Sequence, residues 1–160
     1  MKKWHNKFGA RIINPKGYSY MTNQEKLGDL GEQFAAEILG IKLSENKYDM
    51  EKDGTIGEVK VEIKTQNRHP YLDYFTINTR NWNQLPKCLS VDRLLFVEYD
   101  ISDKIRLWEC HDREDYRRYT TKGGLHMAGW PIDKMKLLRT VVHSNLAAEM
   151  RKYSGAEFTK

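Results

Sequence analysis

The sequence predicts an α/β fold in which a central mixed β-sheet is flanked by helices. Three observations predict it: helical periodicity behind a capping signal at residue 22, a switch to period-2 alternation at residue 59, and a nearly continuous apolar run at 93–100. A length of 160 residues, with 39% hydrophobic and 31% charged residues, suits one domain with one small core. No run approaches the roughly 18 apolar residues of a membrane span, and no apolar stretch of the secretory kind follows the basic start. A cytoplasmic chain with no membrane partner is therefore expected. Cys88 and Cys110 make no C-x-x-C pair and no paired His spacing accompanies them. Two reduced, packed thiols are expected rather than a disulfide framework or a zinc site.

The formal net charge of +5 is unevenly distributed. Residues 1–20 hold Lys2, Lys3, Lys7, Arg11 and Lys16 and no acidic residue, which leaves 22 basic and 22 acidic residues in the rest of the chain. The same arm carries Trp4, His5, Phe8, Tyr18 and Tyr20. Basic residues interleaved with aromatics neutralise phosphates and stack on bases, so nucleic acid is the partner this arm suggests. A solvated tail is the alternative. The domain organisation read from these shifts is a basic aromatic arm at 1–20, a folded domain at 21–143, and a C-terminal helix or tail at 144–160.

The first element follows Thr22. Thr22-Asn-Gln-Glu25 has the spacing of a capping box, in which each side chain satisfies the other residue's unpaired backbone donor. Leu27, Leu30, Phe34, Ala35, Ile38 and Leu39 recur at helical spacing, and Gly40 stands where a C-terminal glycine ends a helix. Glu32 lies at one margin of this apolar stripe, beside Gly28 and Leu39, where it reaches the edge of the core; a solvated glutamate is the alternative. Gly28 and Gly31 weaken a helix, so either something packs closely there or the helix tolerates the loss.

Residues 47–52, KYDMEK, alternate, with Lys47, Asp49 and Glu51 on one side. In 59–66, Val59, Val61 and Ile63 share one strand face and Lys60, Glu62, Lys64 and Gln66 the other. The intervening DGTIGE contains an Asp-Gly turn signal. A hairpin folded about the midpoint between Thr55 and Ile56 sets Asp49 opposite Glu62, so that two carboxylates could share one hard divalent cation. Asp53 is the competing candidate, although it reads more simply as the first residue of the turn.

Downstream, DYFTINT (73–79) alternates as a further strand. NWNQLPKCLSV is a short helical or irregular link interrupted by Pro86, RLLFVEYD (93–100) is a strand buried on both faces, and KIRLWECH (104–111) is the next strand. Between 112 and 143, basic segments that include Arg113, Arg117, Arg118, Lys122, Lys134, Lys136 and Arg139 are broken by Gly123-Gly124 and Gly129. They could line a duplex or, with Glu114 and Asp115, form one solvated helix face. The final stretch reads as a helix and a tail.

A helix glutamate (Glu32), an aspartate at hairpin distance (Asp49) and Glu62-Ile63-Lys64 continuing to Gln66 in a period-2 strand resemble the PD-(D/E)XK nuclease superfamily. That group includes restriction endonucleases, archaeal-type Holliday junction resolvases, and phage and repair nucleases. The resemblance covers about residues 22–100. Glu-x-Lys alone carries almost no information, since Glu58-Val59-Lys60 repeats it; the combination carries the likeness. No proline precedes Asp49, and that departure leaves the choice between Asp49 and Asp53 open.

The resemblance implies a restriction endonuclease-like core and a metal-dependent endodeoxyribonuclease. It implies Mg²⁺ or Mn²⁺ held by Asp49, Glu62 and the Ile63 carbonyl, polarising a phosphate oxygen and lowering the pKa of water. Glu32 would hold a second metal or its water, Lys64 would meet the attacking water and the developing charge, and Gln66 would orient substrate or Lys64. The products would carry a 5′-phosphate and a 3′-hydroxyl. DNA, duplex or branched, is the implied substrate, and a homodimer is compatible with cutting two strands. RNA cleavage on the same fold and a non-catalytic DNA-binding module are the alternatives.

Overall fold

The computed structural model describes residues 21–46, 49, 51–67, 73–79 and 84–154. The basic arm, with Lys2, Lys3, Lys7, Arg11 and Lys16, lies outside the described residues, as do residues 155–160.

Helix α1 (Asn23–Leu39) begins as the sequence predicts. Thr22 Oγ1 accepts the Glu25 backbone N–H at 3.1 Å, and Glu25 Oε1 accepts the Thr22 N–H at 3.3 Å. It ends at Gly40, whose left-handed φ of 69° turns the chain so that the Ile41 N–H, like that of Gly40, donates to the Ala36 carbonyl. Leu30, Phe34 and Ala35 form its buried stripe.

The main sheet has six strands: β1 (Lys42–Leu43), β2 (Gly54–Ile56), β3 (Val59–Asn67), β5 (Arg93–Tyr99), β6 (Lys104–Cys110) and β9 (Met135–Val142), in the order β1-β2-β3-β5-β6-β9. Only β3 and β5 run parallel; the other neighbours are antiparallel, so the sheet is mixed. A parallel pair needs a long crossover, and the chain between β3 and β5 supplies it with β4 (Tyr74–Asn78) and helix α2 (Gln84–Ser90). Pro86 falls in the first turn of α2, where its missing N–H costs no intrahelical bond.

Strand β4 does not join the main sheet. It pairs with β8 (His126–Pro131), which pairs with β7 (Arg117–Thr120), forming a second, three-stranded sheet. The basic stretch thus forms strands rather than one solvated helix face, with Gly124 at φ 84° in the turn between β7 and β8.

Two apolar clusters lie on opposite faces of the main sheet. On one, α1 and helix α3 (Ser144–Ser154) cover Val61, Ile63, Leu95, Val97, Ile105 and Leu107. On the other, β4, β8 and α2 cover Leu94 and Phe96 with Phe75, Ile77, Leu85, Cys88 and Trp130. Phe75 meets Phe96 at 5.2 Å and Trp108 at 5.4 Å between ring centroids, and these tilted aromatic contacts pin the second sheet to the first. Cys88 and Cys110 are free and buried. Among the described residues, no helix is long and apolar enough to cross a membrane.

Candidate active site

Strand β2 is short, and that opens the site. It pairs with β3 only through Gly54↔Val61, Thr55↔Lys60 and Ile56↔Val59. The two-residue loop is Gly57–Glu58, with Gly57 at φ 60° and Glu58 in no positive-φ conformation, an arrangement in which glycine at the first loop position matches the twist of the strands. The expected midpoint between Thr55 and Ile56 is therefore displaced by two residues. The residue set against Glu62 is Asp53, not Asp49.

Asp53 is held there by main chain on both sides. Its N–H donates to the Val61 carbonyl at 2.9 Å, and its Oδ2 accepts the Ile63 N–H at 2.8 Å. Because the N–H and C=O of one strand residue project to the same edge, the Ile63 carbonyl points to the edge that carries Asp53, past the end of β2. Asp49 is committed elsewhere. It accepts the Glu51 N–H at 2.8 Å and the Lys52 N–H at 3.3 Å and lies 3.5 Å from Lys52 Nζ, so it closes a local turn. The Glu51 N–H holds its carboxyl below the ordinary range. The expected alternation over 47–52 is not realised as strand at Asp49, Glu51 or Lys52. Lys47, Tyr48 and Met50 lie outside the described residues.

Glu62 and Lys64 share a strand face as predicted, but that face is largely covered, and of the two only Lys64 is partly exposed. The second sheet and α2 lie over it, and Glu62 is 1% exposed. Glu62 Oε2 lies 3.0 Å from Lys64 Nζ, and Lys64 also donates to the Gln84 side-chain oxygen. Glu62 Oε1 lies 3.2 Å from Lys87 Nζ, and the same ammonium is 3.1 Å from Asp53 Oδ1. Distance makes the Lys87–Glu62 contact an ion pair, yet no donor among the described residues is aligned as a hydrogen bond to Glu62 Oε1. The electrostatic contact stands, because charge attraction needs no alignment.

Burial pushes the Glu62 carboxyl up to about 8, and the Asp53 carboxylate beside it pushes the same way; Lys64 and Lys87 oppose them. Burial is the largest single influence on Lys64 and on Lys87 and disfavours their charge, but the acidic groups around them, Glu62 first and Asp53 with it, together outweigh it and hold both ammonium groups above their ordinary range.

A cleft of about 810 Å³ opens onto this cluster. It is lined by Gln24, Gly28 and Glu32 of α1, Asp53, Glu62, Ile63 and Lys64 of the sheet, and Gln84 and Lys87 of α2. Glu32 therefore faces the same space as Asp53 and Glu62, as its position at the margin of the helical stripe predicts. A second hollow shares Gln24, Lys64 and Gln84 and extends along Thr76, Ile77 and Asn78 of β4. Glycine 31 is explained by packing: a Cβ there would fall 1.7 Å from Thr65 Oγ1, so α1 approaches β3 more closely than alanine permits. Gly28 meets nothing within 4 Å, and its missing side chain leaves room in the cleft.

Gln66 does not line the cleft. Its Oε1 accepts the Thr76 N–H at 2.7 Å and its Nε2 donates to the Tyr74 carbonyl at 3.1 Å, so it ties the edge of β4 to β3. These two bonds hold the second sheet beside the site. Arg117, Arg118 and Lys122 are exposed; the Arg117 guanidinium donates to Tyr74 Oη at 3.0 Å and lies 5.9 Å from that ring, and Arg118 lies 6.0 Å from the Tyr116 ring.

Sequence reasoning missed Lys87 and Gln84. Their i, i+3 spacing puts them on one face of α2, while Leu85 and Cys88, also i, i+3, take the buried one. That signal was present but spans barely one helical turn.

The donor set fits one hard divalent cation: two adjacent carboxylates, a buried carboxylate oxygen without an aligned donor, and a main-chain carbonyl at the same edge. Among the described residues, no group of three or more His, Cys, Asp and Glu side chains is arranged to hold a metal, so the main-chain oxygen and water would have to complete the shell. No protein-family model matches this chain, and no curated protein matches it.

Proposed function

We propose that this chain is a Mg²⁺- or Mn²⁺-dependent endonuclease that hydrolyses DNA phosphodiester bonds, built on a restriction endonuclease-like core of the PD-(D/E)XK kind. One observation carries the reading: Asp53, Glu62 and Lys64 converge at an open strand edge, inside a cleft that Glu32 also lines. Asp53 takes the aspartate role in place of Asp49, with Glu62 and the Ile63 carbonyl as its partners. A metal held there would polarise a phosphate oxygen and acidify water. Lys64, fixed by Glu62 and by Gln84, presents a positive charge to the pentavalent phosphorus centre and to the entering oxygen. Glu32, which lines the same cleft, would hold water or a second cation. The hollow along β4 gives the nucleic acid a path toward the arginines of β7, and the basic arm adds sequence-independent backbone contacts.

The test is incubation with supercoiled plasmid, branched DNA and RNA, each with Mg²⁺, Mn²⁺ or EDTA, beside the Lys64→Ala, Asp53→Asn and Asp49→Asn variants. DNA cleavage that needs metal, Lys64 and Asp53 but survives Asp49→Asn is expected. Cleavage that persists in EDTA or in Lys64→Ala would overturn the mechanism, and cleavage confined to RNA would move the substrate. A non-catalytic DNA-binding module is the second reading, favoured by one observation: Lys64 and Lys87 already occupy carboxyl oxygens of Asp53 and Glu62. DNA retention without cleavage under any condition would select it.

A further inference from the structure

The carboxylate pair has one shared point, and a side chain stands on it. Asp53 Oδ2 is taken by the Ile63 N–H and Glu62 Oε2 by Lys64. The two remaining oxygens, Asp53 Oδ1 and Glu62 Oε1, converge on Lys87 Nζ at 3.1 and 3.2 Å. Among the described residues this is the locus at which one cation bridges both carboxylates.

We infer that Lys87 is the resident cation of this site, displaced into the cleft when a divalent ion binds between Asp53 and Glu62, where its ammonium then meets the substrate phosphate. The inference rests on the metal-dependent reading above. Its physical basis is charge and space. Lys64 Nζ and Lys87 Nζ stand 3.0–3.2 Å from the oxygens of the two carboxyl groups and fill the space around them. A divalent ion at the bridging point would lie in contact with the Lys87 ammonium, and like charges at that separation in a poorly solvated site repel strongly.

Helix α2 itself is anchored, because Leu85 and Cys88 are packed in the core beneath the second sheet. The four-carbon stem of Lys87 must therefore do the moving, and the cleft it lines has room for it. Lys64 is not the group that leaves: it sits on the central strand, held by Glu62 Oε2 and Gln84. Release turns an ion-pair partner into a phosphate contact only when metal is present, which couples substrate binding to metal loading. Lys87 is in this sense a positioning residue until metal enters.

The experiment uses the wild-type chain. Lysine acetylation by an N-hydroxysuccinimide ester is followed by peptide mass spectrometry across a Mn²⁺ titration, with Mn²⁺ binding followed in parallel by electron paramagnetic resonance. Acetylation of Lys87 should rise about tenfold along the Mn²⁺ saturation curve while that of Lys64 does not. Lys87→Gln, checked for native circular dichroism, should bind Mn²⁺ about tenfold more tightly without DNA, the scale on which groups around a metal ligand change affinity. Saturable Mn²⁺ binding that Asp53→Asn abolishes, with Lys87 acetylation unchanged throughout, would overturn the role of Lys87 and leave the metal site standing. Mn²⁺ binding that is absent, or indifferent to Asp53→Asn, would overturn the metal reading and this inference together.

Discussion

Asp53 Oδ2 accepts the Ile63 backbone N–H at 2.8 Å, which fixes this carboxylate to the strand that carries Glu62 and Lys64. The bond exists because β2 stops at Gly54, leaving the next main-chain donor of β3 without a strand partner. Asp53→Asn keeps an acceptor at that position but removes the charge. Cleavage is expected to fall by at least about a hundredfold, the scale for loss of an electrostatic group at a reacting centre. Asp49→Asn should leave kcat nearly unchanged and alter only the local turn. Single-turnover cleavage of the two variants under saturating Mg²⁺ checks the contrast.

Glu62 makes stability depend on pH. Its carboxyl is raised from 4.5 to about 8 by burial and by Asp53, so the folded protein retains a proton that the unfolded chain releases. The unfolded state binds fewer protons in that window, and stability therefore falls as pH rises from about 4.5 to about 8. In EDTA the urea midpoint should decline across this range, and Glu62→Gln should flatten the decline. An unaltered slope in the variant would assign the pH dependence to other groups.

The two glycines of α1 should respond oppositely to alanine. Gly31→Ala drives a methyl group into Thr65, at 1.7 Å from its Oγ1 and 2.9 Å from its Cβ, and should cost about 1–3 kcal/mol as overpacking. Gly28→Ala meets open space and should gain up to about 1 kcal/mol from helix propensity. Because Gly28 lines the cleft, Gly28→Trp should keep the fold and block nucleic-acid binding. Urea titrations and a filter-binding assay separate the two effects.

Gln66 joins the sheets through main-chain groups of β4, accepting from Thr76 and donating to Tyr74. Gln66→Leu leaves both without that partner and should destabilise by about 1–3 kcal/mol. Amide hydrogen exchange should quicken in β4 well before it does in β5, since β5 is held on both sides by strand neighbours.

The cysteines should resist thiol reagents. Burial pushes Cys88 up to about 12 and Cys110 up to about 11, so neither forms thiolate near neutral pH, and both are enclosed. Labelling of the folded protein by iodoacetamide should be negligible and become complete only in denaturant.

The sequence by itself determined what depends on near neighbours in the chain. The bounds of α1 follow from Thr22, Glu25 and Gly40, the shared face of Glu62 and Lys64 follows from period 2, and the position of Glu32 follows from the helical stripe. Which aspartate stands beside Glu62 required the register. A hairpin centred between Thr55 and Ile56 sets Asp49 against Glu62, whereas the loop at Gly57–Glu58 shifts the register by two residues on each side of the turn axis and sets Asp53 there. The departure of β4 to a second sheet, the tie made by Gln66 and the placement of Lys87 between two carboxylates were decided only by the tertiary structure. Periodicity reports which way a side chain faces; it carries no information about which distant segment comes to cover that face, and burial, ion pairing and the raised Glu62 carboxyl all arise from that cover.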